Sequence, residues 1–162
     1  MVLTVQSPEE MNRILNAYRA LPDVEMAEEN KIYTVQMTPT DPSYSQLWGM
    51  TKIQAPAAWD LSTGTGVVVA VVDTGIDAAH PDLAANIWTN PGEIPGNGID
   101  DDGNGYVDDF QGWNPGGNND DVYGGGHGTQ VAGMIGAVGD NGSQVAGANW
   151  DVKMMVVTRD VS

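Results

Sequence analysis

The tightest constraint on this chain is a run of six apolar residues, VVVAVV at 67–72, closed by Asp73. Valine is stiff at χ1 and favours extended backbone, and a run without polar alternation predicts a parallel strand buried on both faces. Asp73 then falls at the carboxyl end of that strand, where open α/β sheets place ligands and catalytic groups. Further on, residues 127–138 (HGTQVAGMIGAV) predict a helix of small side chains opened by His127 and preceded by Gly124-Gly125-Gly126. Residues 152–158 read as a second buried strand. Strand, long excursion, helix and strand predict an α/β domain, a parallel sheet flanked by helices. The excursion at 89–123 is rich in Gly, Asn and Asp and has almost no periodicity, and loops of that size are usually functional or flexible.

Charge limits the partners. Twenty-two acidic residues against six basic ones give a net charge of −16, which excludes nucleic acid and anionic membranes as partners because neither meets a cationic patch. The balance fits an extracellular or a calcium-binding protein. With no cysteine there is neither a disulfide framework nor a thiolate zinc site. The start MVLTVQSPEE has no basic and apolar signal regions, and no apolar run is long enough for a membrane span. A secreted parent would carry its signal peptide upstream of this sequence.

The N-terminal third has its own organisation. Ser7, Pro8 and Glu10 form a capping-box start, and Met11, Ile14, Leu15 and Tyr18 follow at helical spacing. Leu21-Pro22-Asp23 ends that helix. Residues 31–37 (KIYTVQM) predict a strand, 37–46 a linker, and 55–61 a short helix.

An aspartate after a strand is commonly a turn residue, and a histidine at a helix start is commonly a surface or capping group. Here DTG at 73–75, HPDL at 80–83 and HGTQVAG at 127–133 together resemble the Asp and His motifs of the subtilisin-like serine peptidases, the subtilases. That resemblance implies an Asp–His–Ser triad hydrolysing protein or peptide substrates, with Asp73 orienting the imidazole and His127 acting as general base and then acid. Gln130 departs from the second histidine common in the family, but that position is not a triad member. His80 is implied to be structural. No GTSMA-like serine segment occurs, and the six serines lack its context. The serine and the oxyanion asparagine are expected beyond residue 162, and the chain alone is expected to be inactive. A parallel sheet lacking its later strands would expose apolar edges and faces, so a poorly stable or oligomeric chain is expected. Residues 1–39 resemble the end of an inhibitor-like subtilase propeptide, acting in cis, with a partial α+β fold. Residues 40–162 resemble the first part of the catalytic domain, and processing is expected within 35–41.

Two sets of residues are candidates for structural calcium. Asp100, Asp102, Asn104 and Asp108, with the Tyr106 carbonyl and a turn at Gly105, match a calcium-loop spacing, although Gln111 stands where the bidentate Glu of an EF-hand would be. Packing carboxylates this densely without a cation incurs mutual repulsion, while the bland reading is a solvated acidic loop. The second set rests on resemblance to thermitase-like subtilases. It comprises Asp41, Asp82 and Asn141, with the carbonyls of Val138, Ser143 and Val145.

Two other functions compete. VVDTGID also resembles the DTG motif of retropepsins, homodimeric aspartic peptidases whose two aspartates share a proton. Those are predominantly β and need no HGT helix, and pepstatin would discriminate. A non-enzymatic, acidic calcium-binding module would explain residues 100–109 but leave both motifs without a cause.

Overall fold

The computed structural model describes residue 5 and residues 7–29 and 37–159, so most of the strand expected at 31–37 lies outside the described residues. The chain divides into two compact units, Met1–Val35 and Gln36–Ser162. In the first, helix α1 spans Pro8–Arg19, and the Ser7 side chain accepts a hydrogen bond from the Glu10 amide at 3.1 Å. Pro8, lacking an N–H, starts the helix where no intrahelical acceptor is available anyway. Met11, Ile14, Leu15 and Tyr18 form its half-buried stripe.

The second unit starts with two short helices, α2 (Trp48–Lys52) and α3 (Ala55–Trp59). Strand β1 follows at Val68–Asp73, then the two-residue strand β2 (Gly112–Trp113), helix α4 (Gly126–Gly136) and strand β3 (Lys153–Thr158). The sheet order is β1-β3-β2 and both pairings are parallel, with Val71 opposite Val156 and Asp73 opposite Thr158. The α/β class expected from the pattern is the one observed. Within the long excursion only β2 is regular, and it pairs Gly112 with Val156 and Trp113 with Val157.

One face of the sheet carries the core. Val71, Met154 and Val156 are buried together with Ile76, Leu83, Ile87 and Ala132. Alternation along β1 turns Val68, Ala70 and Val72 to the other face, where Val72 is 63% exposed. The expectation of a strand buried on both faces is therefore corrected. β1 is an edge strand, paired on one side by β3, and among the described residues only one of its apolar faces is covered.

Helix α4 approaches this core closely because its inward positions are small. A Cβ on Gly136 would lie 2.6 Å from Val152 Cγ1 and 2.9 Å from Met154 Sδ, below any normal contact. Its C-terminal carbonyls need partners, and Asn86 supplies one. The buried Asn86 Nδ2 donates to Gly136 O at 2.9 Å and to Trp150 O at 2.6 Å, tying the HPDL segment to both the helix end and the lead into β3. A second cluster packs Trp59 on Trp150 with ring centroids 4.6 Å apart, and Trp59 Nε1 donates to Ala148 O.

Asn86→Ala removes the side-chain donor shared by the Gly136 and Trp150 carbonyls, both in buried residues. The expected cost is about 2 kcal/mol, read as a lower urea midpoint with an unchanged slope. A midpoint equal to that of the wild type would remove Asn86 from this role.

Candidate active site

Asp73 and His127 stand 54 residues apart and meet because two glycine-rich turns pass within van der Waals reach. β1 delivers Asp73 at its carboxyl end, and its carbonyl accepts from Arg159 N, which fixes the strand end against β3. The chain then turns at Gly75, whose φ of +90° suits glycine. A Cβ at Gly75 would lie 2.7 Å from both Gly124 Cα and Val122 O, and one at Gly124 would overlap Thr74 O. At Gly128 a Cβ would overlap Gly75 O and lie 3.3 Å from Asp73 Cβ. Substitution at any of the three pushes the start of α4 away from the end of β1.

Two threonines lock this approach. Thr74 Oγ1 accepts from Gly128 N at 3.1 Å, using one of the free amides at the start of α4. Thr129 Oγ1 accepts from Asp77 N at 2.9 Å and donates to Gly125 O at 3.3 Å. Ile76 N donates to Val122 O, closing the same junction from the backbone. Sequence reasoning singled out Asp73 and His127 but not these threonines, whose signal is their place directly after the Asp and the His-Gly of the two motifs.

The result is a direct contact, His127 Nδ1 to Asp73 Oδ1 at 2.8 Å. Asp73 Oδ1 also accepts from Thr74 N at 2.7 Å. Against a carboxylate the imidazole proton belongs on Nδ1, which leaves Nε2 as a free acceptor. The His127 side chain is 71% exposed and that of Asp73 16%, so the ring is open to an incoming group while its anchor is sheltered. The hydrogen bond from His127, followed by that from the Thr74 amide, holds the Asp73 carboxyl below its ordinary value of 3.8. A recess of about 270 Å³ lined by Val72, Asp73, Thr74, His127 and Arg159 surrounds the pair. A larger apolar groove of about 510 Å³ runs past Trp48, Leu83 and Met134 and contains neither Asp73 nor His127. Among the described residues no serine hydroxyl is hydrogen-bonded to His127.

His80 Nδ1 accepts from Asp82 N at 3.2 Å, so His80 orders the HPDL turn. The thermitase-like calcium candidates gather around the loop after α4. Asp82 is fully buried, its carboxylate accepting from Val145 N at 2.9 Å and Asn141 Nδ2 at 3.3 Å, and Val138 N donates to its carbonyl. Asp41 is 5% exposed, with Oδ2 accepting from Asp140 N and Oδ1 buried without a partner among the described residues. Ser143 N donates to Asn141 Oδ1.

The excursion candidates divide. Asp100 accepts from Asn104 N and Gly105 N, and Asp102 from Asn104 N and Asn90 Nδ2. The Asn104 side chain reaches Asp102 and Asp109, while the Tyr106 ring packs on Trp113. Asp108 is drawn elsewhere, its two oxygens taken by Asn97 N and Gly98 N. Glu93, which the loop spacing does not include, joins Asp100 and Asp102.

Nothing at the site favours the aspartic-peptidase reading, since the partner of Asp73 is an imidazole. Comparison with known proteins points the same way. The chain is 34% identical over 94% of its length to an extracellular basic protease of Dichelobacter nodosus, and 38% identical over 68% of its length to thermitase of Thermoactinomyces vulgaris. It spans 28% and 32% of those proteins respectively. Among solved structures, fervidolysin from Fervidobacterium pennivorans, a keratinolytic enzyme related to subtilisin, aligns with a TM-score of 0.55 and 26% identity. That alignment covers 85% of this chain and 18% of fervidolysin. A protease of Pseudoalteromonas arctica aligns with the same TM-score at 28% identity, covering 76% of this chain and 39% of its own. The subtilase family model matches residues 64–161, and the chain belongs to that family.

Proposed function

We propose that this chain supplies the acid and the base of a serine endopeptidase acting on protein or peptide substrates. The observation that carries the reading is the 2.8 Å Asp73–His127 hydrogen bond with Nε2 left open. His127 Nε2 takes the proton of a serine hydroxyl as the oxygen attacks the scissile carbonyl, and returns it to the leaving amine. Asp73 keeps the proton of the neutral ring on Nδ1 and stabilises the imidazolium as it forms. The serine and the oxyanion donors are assigned to polypeptide other than these 162 residues. Residues 1–39 are read as propeptide in cis, and the relative named as extracellular supports a secreted protein. Among the described residues no helix is long and apolar enough to cross a membrane.

Calcium at Asp41 and Asp82 belongs to the same reading. Both carboxylates are buried, the N–H donors that reach them are neutral, and Asp41 Oδ1 has no partner among the described residues. A buried charge of this kind calls for a counter-ion, and an all-oxygen donor set suits calcium. Asp41, Asp82 and Asn141 would hold the ion by side chains and Val138, Ser143 and Val145 by carbonyls. Its role there is to pin residues 138–145 to the HPDL turn.

Three outcomes test these assignments. The 162 residues alone leave a chromogenic peptide uncleaved. In polypeptide carrying the serine, His127→Ala lowers kcat/KM by about 10⁴- to 10⁶-fold and serine-directed reagents, not pepstatin, inhibit. Activity surviving His127→Ala within tenfold would contradict the assignment.

A carbon-13 titration reads the Asp73 carboxyl directly. Its midpoint lies below 3.8 in the wild type and rises in His127→Ala. Because the folded-state value is the lowered one, the stabilisation is present above the unfolded value and is lost as the pH falls through the folded one. Equal midpoints in the two proteins would show that the pair does not form.

Calcium raises the melting temperature, with about 2.7 kcal/mol of stabilisation at ~100-fold excess over Kd for one site. Asp82→Asn removes that component. A melting curve indifferent to chelator would rule it out.

A further inference from the structure

An asparagine followed by glycine is open to attack by the next backbone nitrogen, because glycine puts no side chain in the way. The chain has three such pairs, Asn97-Gly98, Asn104-Gly105 and Asn141-Gly142, and the structure makes them close copies. In each, the Asn Oδ1 accepts from the backbone N–H two residues on, at 2.8 Å for Asn97 and Asn104 and 2.7 Å for Asn141. In each, the Asn Nδ2 donates to a carboxylate: Asp101 for Asn97, Asp102 and Asp109 for Asn104, Asp82 for Asn141. The three glycines are all left-handed, with φ of +74°, +95° and +69°, and a Cβ at any of them would meet nothing within 4 Å. All six residues are exposed.

The pairs differ in one hydrogen bond. Gly98 N donates to Asp108 Oδ2 at 2.9 Å and Gly105 N to Asp100 Oδ2 at 2.8 Å. Gly142 N has no acceptor among the described residues. That difference falls on the atom that must act as nucleophile. An amide nitrogen attacks as its anion, and a carboxylate accepting its N–H disfavours that anion by like-charge repulsion. The nitrogens of Gly98 and Gly105 are restrained in this way, and that of Gly142 is not.

We propose that Asn141 is a deamidation site of this chain, reacting ahead of Asn97 and Asn104. Gly142 N forms a bond to Asn141 Cγ as the Cγ–Nδ2 bond breaks. The proton lost by Gly142 N is returned through solvent to Nδ2, which leaves as ammonia. Water then opens the cyclic imide at either of its carbonyls, leaving aspartate or isoaspartate at position 141. Ser143 N, which donates to Asn141 Oδ1, stabilises the negative charge that this oxygen takes up during the attack. Water is the only co-reactant, and nothing is oxidised or reduced.

The consequence reaches a buried group. Asn141 Nδ2 donates to Asp82 Oδ1 at 3.3 Å, and Asp82 is fully buried. Deamidation removes that donor and sets a second carboxylate beside the first, where the two repel. Isoaspartate also lengthens the backbone at 141, which displaces the Ser143 N–H from its acceptor. Conversion therefore loosens residues 138–145 from the HPDL turn, leaving Val145 N as the remaining donor from that loop to the Asp82 carboxylate. The inference does not rest on the peptidase reading, and its test contains no activity measurement.

The test is peptide mapping by mass spectrometry of the 162-residue protein, aged at mildly alkaline pH with chelator present, with isoaspartate scored by enzymatic methylation. In the folded chain Asn141 is expected to convert at least tenfold faster than Asn97 or Asn104. In concentrated urea, where the glycine amides lose their acceptors, the three are expected to convert within threefold of one another. Asp108→Gly suits the left-handed backbone there, φ +57°, and takes the acceptor from Gly98 N. It is expected to raise the rate at Asn97 at least threefold while Asn141 stays within twofold. A folded-state rate at Asn141 no greater than at the other two, the same ordering retained in urea, or an Asn97 rate indifferent to Asp108→Gly would overturn the assignment.

Discussion

The structure depends on a near-collision of backbones. The turn after β1 and the start of α4 come together closely enough that Gly75, Gly124 and Gly128 have no room for a methyl group. Thr74 and Thr129 then bridge the two segments from opposite directions, each using a hydroxyl to satisfy a backbone amide that would otherwise be idle. What this junction achieves is separation of labour within one hydrogen bond. The carboxylate is held at the rigid end of a strand, and the imidazole sits on the first turn of a helix with its far nitrogen toward solvent. Orientation is therefore fixed by the fold itself, as the acid and base roles proposed for the pair require.

Most of the described acidic side chains are exposed to solvent, but three of them are buried. Asp41 and Asp82 sit buried around residues 138–145, and Glu93 sits buried between a turn and an acidic loop. In each place a carboxylate oxygen has no hydrogen-bond partner among the described residues. Neither place lies at the Asp73–His127 pair. The carboxylates thus divide into one hydrogen-bonded to a histidine, three buried ones reached by neutral donors, and an exposed majority. Loops of glycine and asparagine have little core to fold around, and ion binding is a way to order them without apolar burial.

Much of this was legible in the sequence, and the limits have physical causes. Ser7, Pro8 and Glu10 gave the start of α1 because capping is local chemistry. The valine run and residues 152–158 gave β1 and β3 because strand composition is local too. The valine run alone does not show whether one face of β1 or both are covered, whereas the expectation of a sheet without its later strands agrees with the exposed face. The Asp73–His127 encounter could be anticipated only through motif resemblance, for periodicity says nothing about residues 54 apart. The approach of Glu93 to Asp100 and Asp102 is not legible from loop spacing, which counts along the chain, because Glu93 arrives from a separate turn. Asp108 satisfied the same spacing yet points to the amides of Asn97 and Gly98, because a left-handed backbone at that residue redirects its side chain.

The proton held between the imidazole and the carboxylate is the central feature of the pair. Low-temperature proton NMR of the nitrogen-15-labelled chain at neutral pH examines it directly. A far-downfield resonance bonded to His127 Nδ1, with Nε2 unprotonated, is predicted, and it should vanish when Asp73 is replaced by alanine. A ring protonated on Nε2 alone, or a Nδ1 signal indifferent to Asp73, would contradict the central claim.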